Sequence, residues 1–372
     1  MNELNPSQVA PYVIGGAFLL AFIFGAVASK TDFCTMGAVS DWVNMGDFNR
    51  MRMWLLAIAV ALLASSALQL AGAIDLAKSI YPAPRLIWLS HIVGGFLFGV
   101  GMTLGSGCGS KTLIRIGGGN LKSVIVYVFL GIAAYMTLRG ILGAFRVGVL
   151  DRVSLSFPSG QDLPALLSSI IRIEKPLLAA ILAALIGGSI VAFVYAGREF
   201  RAKLDYTLGG VVTGLVVAGG WYVSGHIGYL AEDPRTLQEA FVATNTGRME
   251  SFSFVAPLAF TLDYLMFWTD KSRIITYGIA SVAGVIAGSA AYAIATRKFR
   301  WEGFRDAEDT GMHILGGLLM GFGGICALGC TIGQAITGFS TLALGSIITF
   351  VFIVVGSAAT MKWQYWRITR EA

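Results

Sequence analysis

Three cysteines stand where the apolar runs of the chain break. Cys34 lies in Thr31-Asp32-Phe33-Cys34-Thr35-Met36-Gly37-Ala38, and Cys108 lies in Gly105-Ser106-Gly107-Cys108-Gly109-Ser110-Lys111. Cys330 lies in Ala327-Leu328-Gly329-Cys330-Thr331-Ile332-Gly333-Gln334. Each opens a short segment that reads as a helix. At a helix start the backbone N–H groups lack partners and the dipole is positive. Such a place draws anions and lowers a thiol's pKa. One buried cysteine is commonly just a small core residue, but three at corresponding breaks point to chemistry on an anion. Lys111 and Arg115 follow Cys108 one turn apart and share a helix face. An ionisable residue at membrane depth is a functional candidate, and Lys111, nearer the break, is the better placed to neutralise an anion beside Cys108. Arg115 either joins it or reaches out to the interface. Gly107, Gly109, Gly329, Thr331 and Gln334 supply bare backbone and polar groups around the thiols. Cys326, one turn before Cys330 in an apolar span, reads as core.

Other chemistries find no support. Zinc sites want C-x-x-C pairs or closely spaced histidines. His91 and His313 instead stand 17 residues before Cys108 and Cys330, about 25 Å along a helix. Interfacial or interhelical hydrogen bonding suits them better, and neither a metal nor a cofactor is expected. Asp41 and Asp263 are expected to cap or anchor short helices. The run Gly117-Gly118-Gly119-Asn120 lacks the Lys-Ser/Thr of a phosphate-binding loop, so ATP hydrolysis within this chain is not expected to drive it.

The elements that position these residues follow from composition. Of 372 residues 56% are hydrophobic and only 13% charged, with a mean hydropathy of +0.72. Soluble domains carry about 25% charge, so this is a polytopic membrane protein rather than a soluble enzyme or a disordered chain. The net charge of +6 shows no basic cluster with interleaved aromatics, and nucleic-acid binding is excluded. Residues 1–8 lack the basic start of a cleaved signal peptide, so the first apolar run reads as a retained span.

Runs of roughly 20 apolar residues, enough to cross a bilayer, occur at 11–29, 51–74, 86–105, 121–143, 176–197, 206–224, 273–295, 312–329 and 341–361. Segments 32–43, 108–117, 253–267 and 330–339 are too short or broken to cross, and read as re-entrant helices. Segment 253–267 is also compatible with an ordinary polar loop.

An internal repeat supports this plan. His91-Ile92-Val93-Gly94-Gly95-Phe96-Leu97-Phe98-Gly99-Val100-Gly101 matches His313-Ile314-Leu315-Gly316-Gly317-Leu318-Leu319-Met320-Gly321-Phe322-Gly323 at an offset of 222 residues. The same offset carries Gly107-Cys108 onto Gly329-Cys330 and Asp41-Trp42 onto Asp263-Tyr264. The expected organisation is one all-α membrane domain over 1–372. A first repeat at 11–143 and a second, inverted one at 206–362 are joined by a loop and linker span at 144–205. Lys and Arg asymmetry, including Lys30, Arg50, Arg201, Arg297 and Arg305, favours an outer amino terminus and an inner carboxyl terminus.

The run Phe33-Cys34-Thr35-Met36-Gly37-Ala38, and the run 321–340 with Gly329-Cys330-Thr331-Ile332-Gly333-Gln334-Ala335-Ile336-Thr337-Gly338, resemble the YeeE/YedE sulfur-transport family. The resemblance covers roughly 12–362. It implies import of thiosulfate or a related sulfur anion through the bacterial inner membrane, by nine spans and four short helices in an inverted repeat. It also implies a relay at Cys34, Cys108 and Cys330 and a small TusA-like sulfur-carrier partner, beside membrane lipid. The family's central cysteine is commonly followed by small residues and histidine, whereas Gly109-Ser110-Lys111-Thr112 follow Cys108 here.

The competing reading is a membrane-embedded thiol enzyme, a sulfurtransferase or disulfide oxidoreductase. The lack of a C-x-x-C pair or a nearby base weighs against it. A structural or sensory membrane subunit is a third.

Overall fold

The computed structural model describes residues 6–371 apart from Arg172, Arg235 and Arg305. Arg305, one of the basic residues assigned to the inner side, therefore lies outside the described residues, as do residues 1–5 of the amino-terminal run. The chain is built as crossings interrupted by short helices. It starts with α1 (Pro6–Thr31), turns through α2 (Thr35–Ser40) and continues as α3 (Asn49–Leu70). Then come α4 (Trp88–Leu104), the short α5 (Gly109–Gly117) and α6 (Leu121–Arg139). A surface passage with α7 (Ile141–Phe145) and α8 (Leu163–Ile171) leads to α9 (Lys175–Tyr195) and α10 (Arg198–Ala202). After these stand α11 (Leu204–Tyr222), α12 (Ala256–Met266), α13 (Tyr277–Ala295), α14 (Ala307–Cys326) and α15 (Leu344–Glu371), with the π-wound segment Thr331–Gly338 between the last two. Two pairs of two-residue antiparallel strands tie loops together: 85–86 with 155–156, and 229–230 with 240–241.

Nine helices among the described residues are long and apolar enough to cross a membrane. The protein is an all-α, multi-pass membrane protein. Every expected span and all four short segments are present, and 253–267 holds a helix rather than a polar loop. Large apolar side chains such as Leu19, Leu185 and Val351 face outward, as a lipid-facing surface requires.

Helix neighbours repeat across the two halves. α1 packs on α13 as α11 packs on α3, and α4 packs on α15 as α14 packs on α6. The short elements follow suit. α5 lies against α13 and Thr331–Gly338 against α3, while α12 lies against α6 and α2 against α15. Between helices in lipid there is little hydrophobic driving force, so association rests on close van der Waals contact through small residues. The matched glycines of α4 and α14 provide it. A Cβ at Gly101 would sit 2.7 Å from the Gly316 carbonyl, and one at Gly323 would sit 2.6 Å from the Gly94 carbonyl. Gly99 and Gly321, also matched by the repeat, lie against the Ile353 and Leu130 carbonyls, where a Cβ would come within 2.2 and 2.3 Å. The glycine excess is thus spent on backbone-to-backbone crossings.

Polar groups pin the same crossings. His91 Nδ1 meets Thr349 Oγ1 at 2.8 Å, joining α4 to α15, in the interhelical role expected of it. His313 instead bonds within its own helix, to the Asp309 carbonyl at 2.7 Å. Asp41 and Asp263 anchor the chain around the short helices through Arg50 at 3.2 Å and Arg273 at 3.0 Å. Replacing Gly99 or Gly321 by Val should cost about 1–3 kcal/mol through overpacking, read as a lower unfolding temperature in detergent. Gly15→Ala, with nothing within 4 Å of the new methyl, should not lower that temperature, since alanine suits a helix interior better than glycine.

Candidate functional site

Each of the three cysteines caps the short helix that follows it. Cys34 precedes α2, Cys108 precedes α5 and Cys330 precedes Thr331–Gly338, all in extended backbone. The chain enters each cap through the same turn. Asp32, Ser106 and Leu328, two residues before the thiols, have φ of 51°, 58° and 60°. The next amide bonds five residues back in every case: Phe33 to Ala28, Gly107 to Met102 and Gly329 to Gly324, at 2.8–3.1 Å. This is the Schellman closure of a helix, which normally places glycine in the left-handed position. Here Asp, Ser and Leu occupy it, a strain of order 1 kcal/mol or more each. The shared turn leaves only three or four residues between one helix and the next, so the thiol stands where carbonyl ends give way to amide ends.

The thiols are almost completely buried, with Cys34 4%, Cys108 1% and Cys330 0% exposed. Cys34 Sγ accepts from the Gly37 amide at 3.4 Å, and Cys330 Sγ accepts from Gly333 at 3.4 Å and Phe254 at 3.3 Å. These contacts use the sulfurs as acceptors, and each of these thiols also carries an S–H proton, a weak donor. Cys108 Sγ lies 3.3 Å from Ser110 Oγ. Thr35 Oγ1, Thr331 Oγ1 and Gln334 Oε1 are buried without a hydrogen-bond partner among the described residues. Gln334 holds its orientation by donating from Nε2 to the Ala327 carbonyl.

The stretch 251–255, which carries no chemical signal in the sequence, binds these pieces together. Thr337 donates to the Phe252 carbonyl at 2.7 Å, and Phe254 donates to Cys330. The Phe254 carbonyl presses on Gly109, where a Cβ would stand 2.8 Å away. One residue thus joins the Cys108 helix to the Cys330 cap. Its ring stacks on Phe24 at 5.9 Å, Phe24 meets Phe33 edge-on at 6.4 Å, and Phe33 stacks on Trp54 at 4.7 Å. A dry aromatic wall runs from the neighbour of Cys34 to the neighbour of Cys330.

Two cavities open at opposite ends of α13, roughly 20 Å apart by helix rise. One, about 270 Å³, is lined by Tyr81, Glu250, Ser253, Tyr277 and Gly329, the residue before Cys330. The other, about 860 Å³, reaches Cys34 and carries Arg50, Lys111, Arg115, Arg297, Lys298 and Arg300 against Asp32 and Glu302. The Asn120 amide and the Arg300 guanidinium hold Glu302 below the usual carboxylate range, so it stays charged. The cavity still carries an excess of positive charge. Such a mouth attracts anions.

The profile of the family described as Sulphur transport matches residues 30–359. The chain belongs to this family. It is similar to the thiosulfate transporter TsuA of Escherichia coli (strain K12), 27% identical over 373 residues that cover 98% of this chain and 97% of the relative. It is also similar to the thiosulfate transporter TsuA of Spirochaeta thermophila, 25% identical over 362 residues that cover 95% of this chain and all of the relative. The sulphur-transport assignment fits a transporter rather than a thiol enzyme.

Within this family member, Cys34 and Lys111 line the larger cavity and Gly329 the smaller, while Gly107, Cys108, Gly109, Cys330, Thr331 and Gln334 are buried among the helices and line neither. Lys111 points into the Cys34 cavity, where it pairs with Asp32. Arg115 turns back to the Ser106 carbonyl at 2.7 Å and supports the Cys108 turn instead of reaching outward. Cys326 is fully buried inside α14. Asp32 and Phe254 were not singled out from the sequence; Asp32 carried a signal, as a carboxylate two residues before Cys34, and Phe254 carried none. Gly109→Ala should push Phe254 off Cys330 and remove one hydrogen bond, worth ~1 kcal/mol. Alkylation of Cys330 by a membrane-permeant maleimide should then quicken about fivefold. Gly118→Ala, whose methyl would make only ordinary contact, should leave the rate as it is.

Proposed function

We propose that this protein is a permease for thiosulfate or a closely related sulfur anion in the bacterial inner membrane. The observation that carries the reading is the placement of three buried thiols, each capping a short helix after the same turn, between two cavities at opposite ends of α13. The full-length similarity to two thiosulfate transporters supports the choice of substrate.

The substrate enters from outside through the smaller cavity, meets Cys330, passes Cys108 and leaves past Cys34 and Lys111 into the basic cavity. Each thiol donates a weak S–H hydrogen bond, with Gly107, Gly109, Gly329, Thr331 and Gln334 supplying the surrounding backbone and polar contacts. A dianion inside a membrane is expensive. Unpaired amides at the helix starts offset part of that cost, and loose S–H contacts allow the quick release that conduction needs. No bond to sulfur is made or broken, so no cofactor is called for.

The halves 11–143 and 206–362 form an inverted repeat around 144–205, a reading supported by the matched helix neighbours. An outer amino terminus and an inner carboxyl terminus follow from the basic-residue asymmetry. The large basic mouth then faces the cytoplasm, where a TusA-like sulfur carrier receives the product.

Uptake of labelled thiosulfate into proteoliposomes tests the reading. Wild type should transport and Cys108→Ala should not, while keeping its unfolding temperature. Normal uptake by Cys108→Ala would refute the relay. Lys111→Met should lower uptake about tenfold or more, as expected for losing a charge-assisted contact.

A further inference from the structure

Asp32 is the one residue of the basic cavity whose placement is costly in two ways. It holds the left-handed position of its turn, with φ of 51°, where glycine would sit without strain. Its carboxylate is also committed to two cations at once, Lys111 Nζ and Arg50 Nη2. The geometry of that triad is lopsided. Lys111 and Arg50 have side chains only 13% and 19% exposed, while Asp32 is 62% exposed and faces the open cavity. The cations are fixed in the wall, and the carboxylate lies over them.

The two cations are not equally dependent on it. Arg50 also pairs with Asp41 at 3.2 Å and donates to the Asp32 backbone carbonyl at 3.1 Å, so it stays in place without the carboxylate. For Lys111, Asp32 is the sole carboxylate within ion-pair distance among the described residues. A purely structural role would be met by a glycine turn and a solvated lysine. Ser106 and Leu328 hold the same left-handed turn without a charge, so what sets Asp32 apart is the carboxylate it lays across Lys111 and Arg50.

We infer that Asp32 is a tethered counter-anion that occupies the Lys111–Arg50 pair between transport events and changes places with the departing substrate anion beside Cys34. This rests on the permease reading and adds to it a positioning residue for release. One anion leaves the cation pair as another arrives and no proton need move; the dianion takes away one more negative charge than the carboxylate brings, so the emptied site keeps one net positive charge for the next substrate. Without it, a sulfur anion that reached two wall-fixed cations would be held too tightly to leave. The Asp32 carboxylate competes for the same donors, weakens binding and hastens release. Its exposed position allows it to swing clear without disturbing the helix ends.

The test is the kinetics of thiosulfate uptake by Asp32→Asn, with equilibrium binding of labelled thiosulfate to the same variant in detergent. Loss of the competing charge should lower both KM and kcat about tenfold and tighten binding by a similar factor. Asp32→Glu, which restores the carboxylate, should return both parameters toward wild type. Asp32→Gly removes the charge and relaxes the turn. It should show the same kinetic change, and because relief of the turn offsets part of the lost ion pairing, it gives a second charge-removing variant if the Asn variant folds poorly. An unchanged or raised KM, with unchanged binding, would overturn the proposal even if kcat fell. The two readings fail separately. Wild-type transport that depends on Cys108 but is indifferent to Asp32 sinks the counter-anion alone. Absence of wild-type uptake sinks the permease reading, and the binding comparison then decides Asp32 by itself.

Discussion

A helix that ends inside a membrane must satisfy its own backbone, because hydrocarbon offers no water to the free amides and carbonyls. This protein ends helices within its interior at three cysteine turns, and much of its architecture follows from how those ends are met. The repeated Schellman turn satisfies the last carbonyls of the incoming helix, and the cysteine that follows faces the first amides of the outgoing one. What is left without a partner among the described residues is a small set of buried side-chain oxygens beside the thiols, those of Thr35, Thr331 and Gln334. The structural answer to a buried helix break is thus also a place where an anion can be held briefly.

Holding such breaks in register requires an unyielding frame. The glycine-lined crossings of α4 with α14, and of each with α15 or α6, bring backbones into direct contact and leave little freedom to slide. The stretch 251–255 then sets the spacing between the Cys108 and Cys330 turns by bonding one and abutting the other. Apolar rings fill the volume between them, which keeps water out and strengthens every remaining polar contact. Charge is confined to the mouths. The two mouths differ, a smaller one near Cys330 and a larger basic one near Cys34, so the electrostatic potential changes from one end of α13 to the other.

Much of this was legible in the residues. Nine apolar runs, four interrupted segments and the 222-residue repeat appear in the sequence because membrane spans need unbroken apolar length and breaks need Gly, Ser or Thr. Asp41 and Asp263 read correctly as anchors, though their partners Arg50 and Arg273 could not be named. Segment 253–267 left a polar loop open as the lesser alternative, because a run of that length is too short to cross a bilayer. The positive φ at Asp32, Ser106 and Leu328 was hidden, since left-handed turns usually announce themselves by glycine, and here glycine lies one residue later or is absent.

By itself, then, the sequence determined the all-α membrane class, the spans and the positions of the three thiols at helix starts, and it carries the 222-residue match between its halves. Each of these depends on local composition or on periodicity along the chain. Tertiary structure alone decided that Lys111 faces Asp32, 79 positions away, and that Phe254 donates to Cys330, 76 positions away. It also decided that two cavities of unequal size and charge flank the thiols. These are consequences of which helices cross and at which glycine. A partner chosen across a membrane bundle is set by packing geometry and has no counterpart in the spacing of residues along the chain.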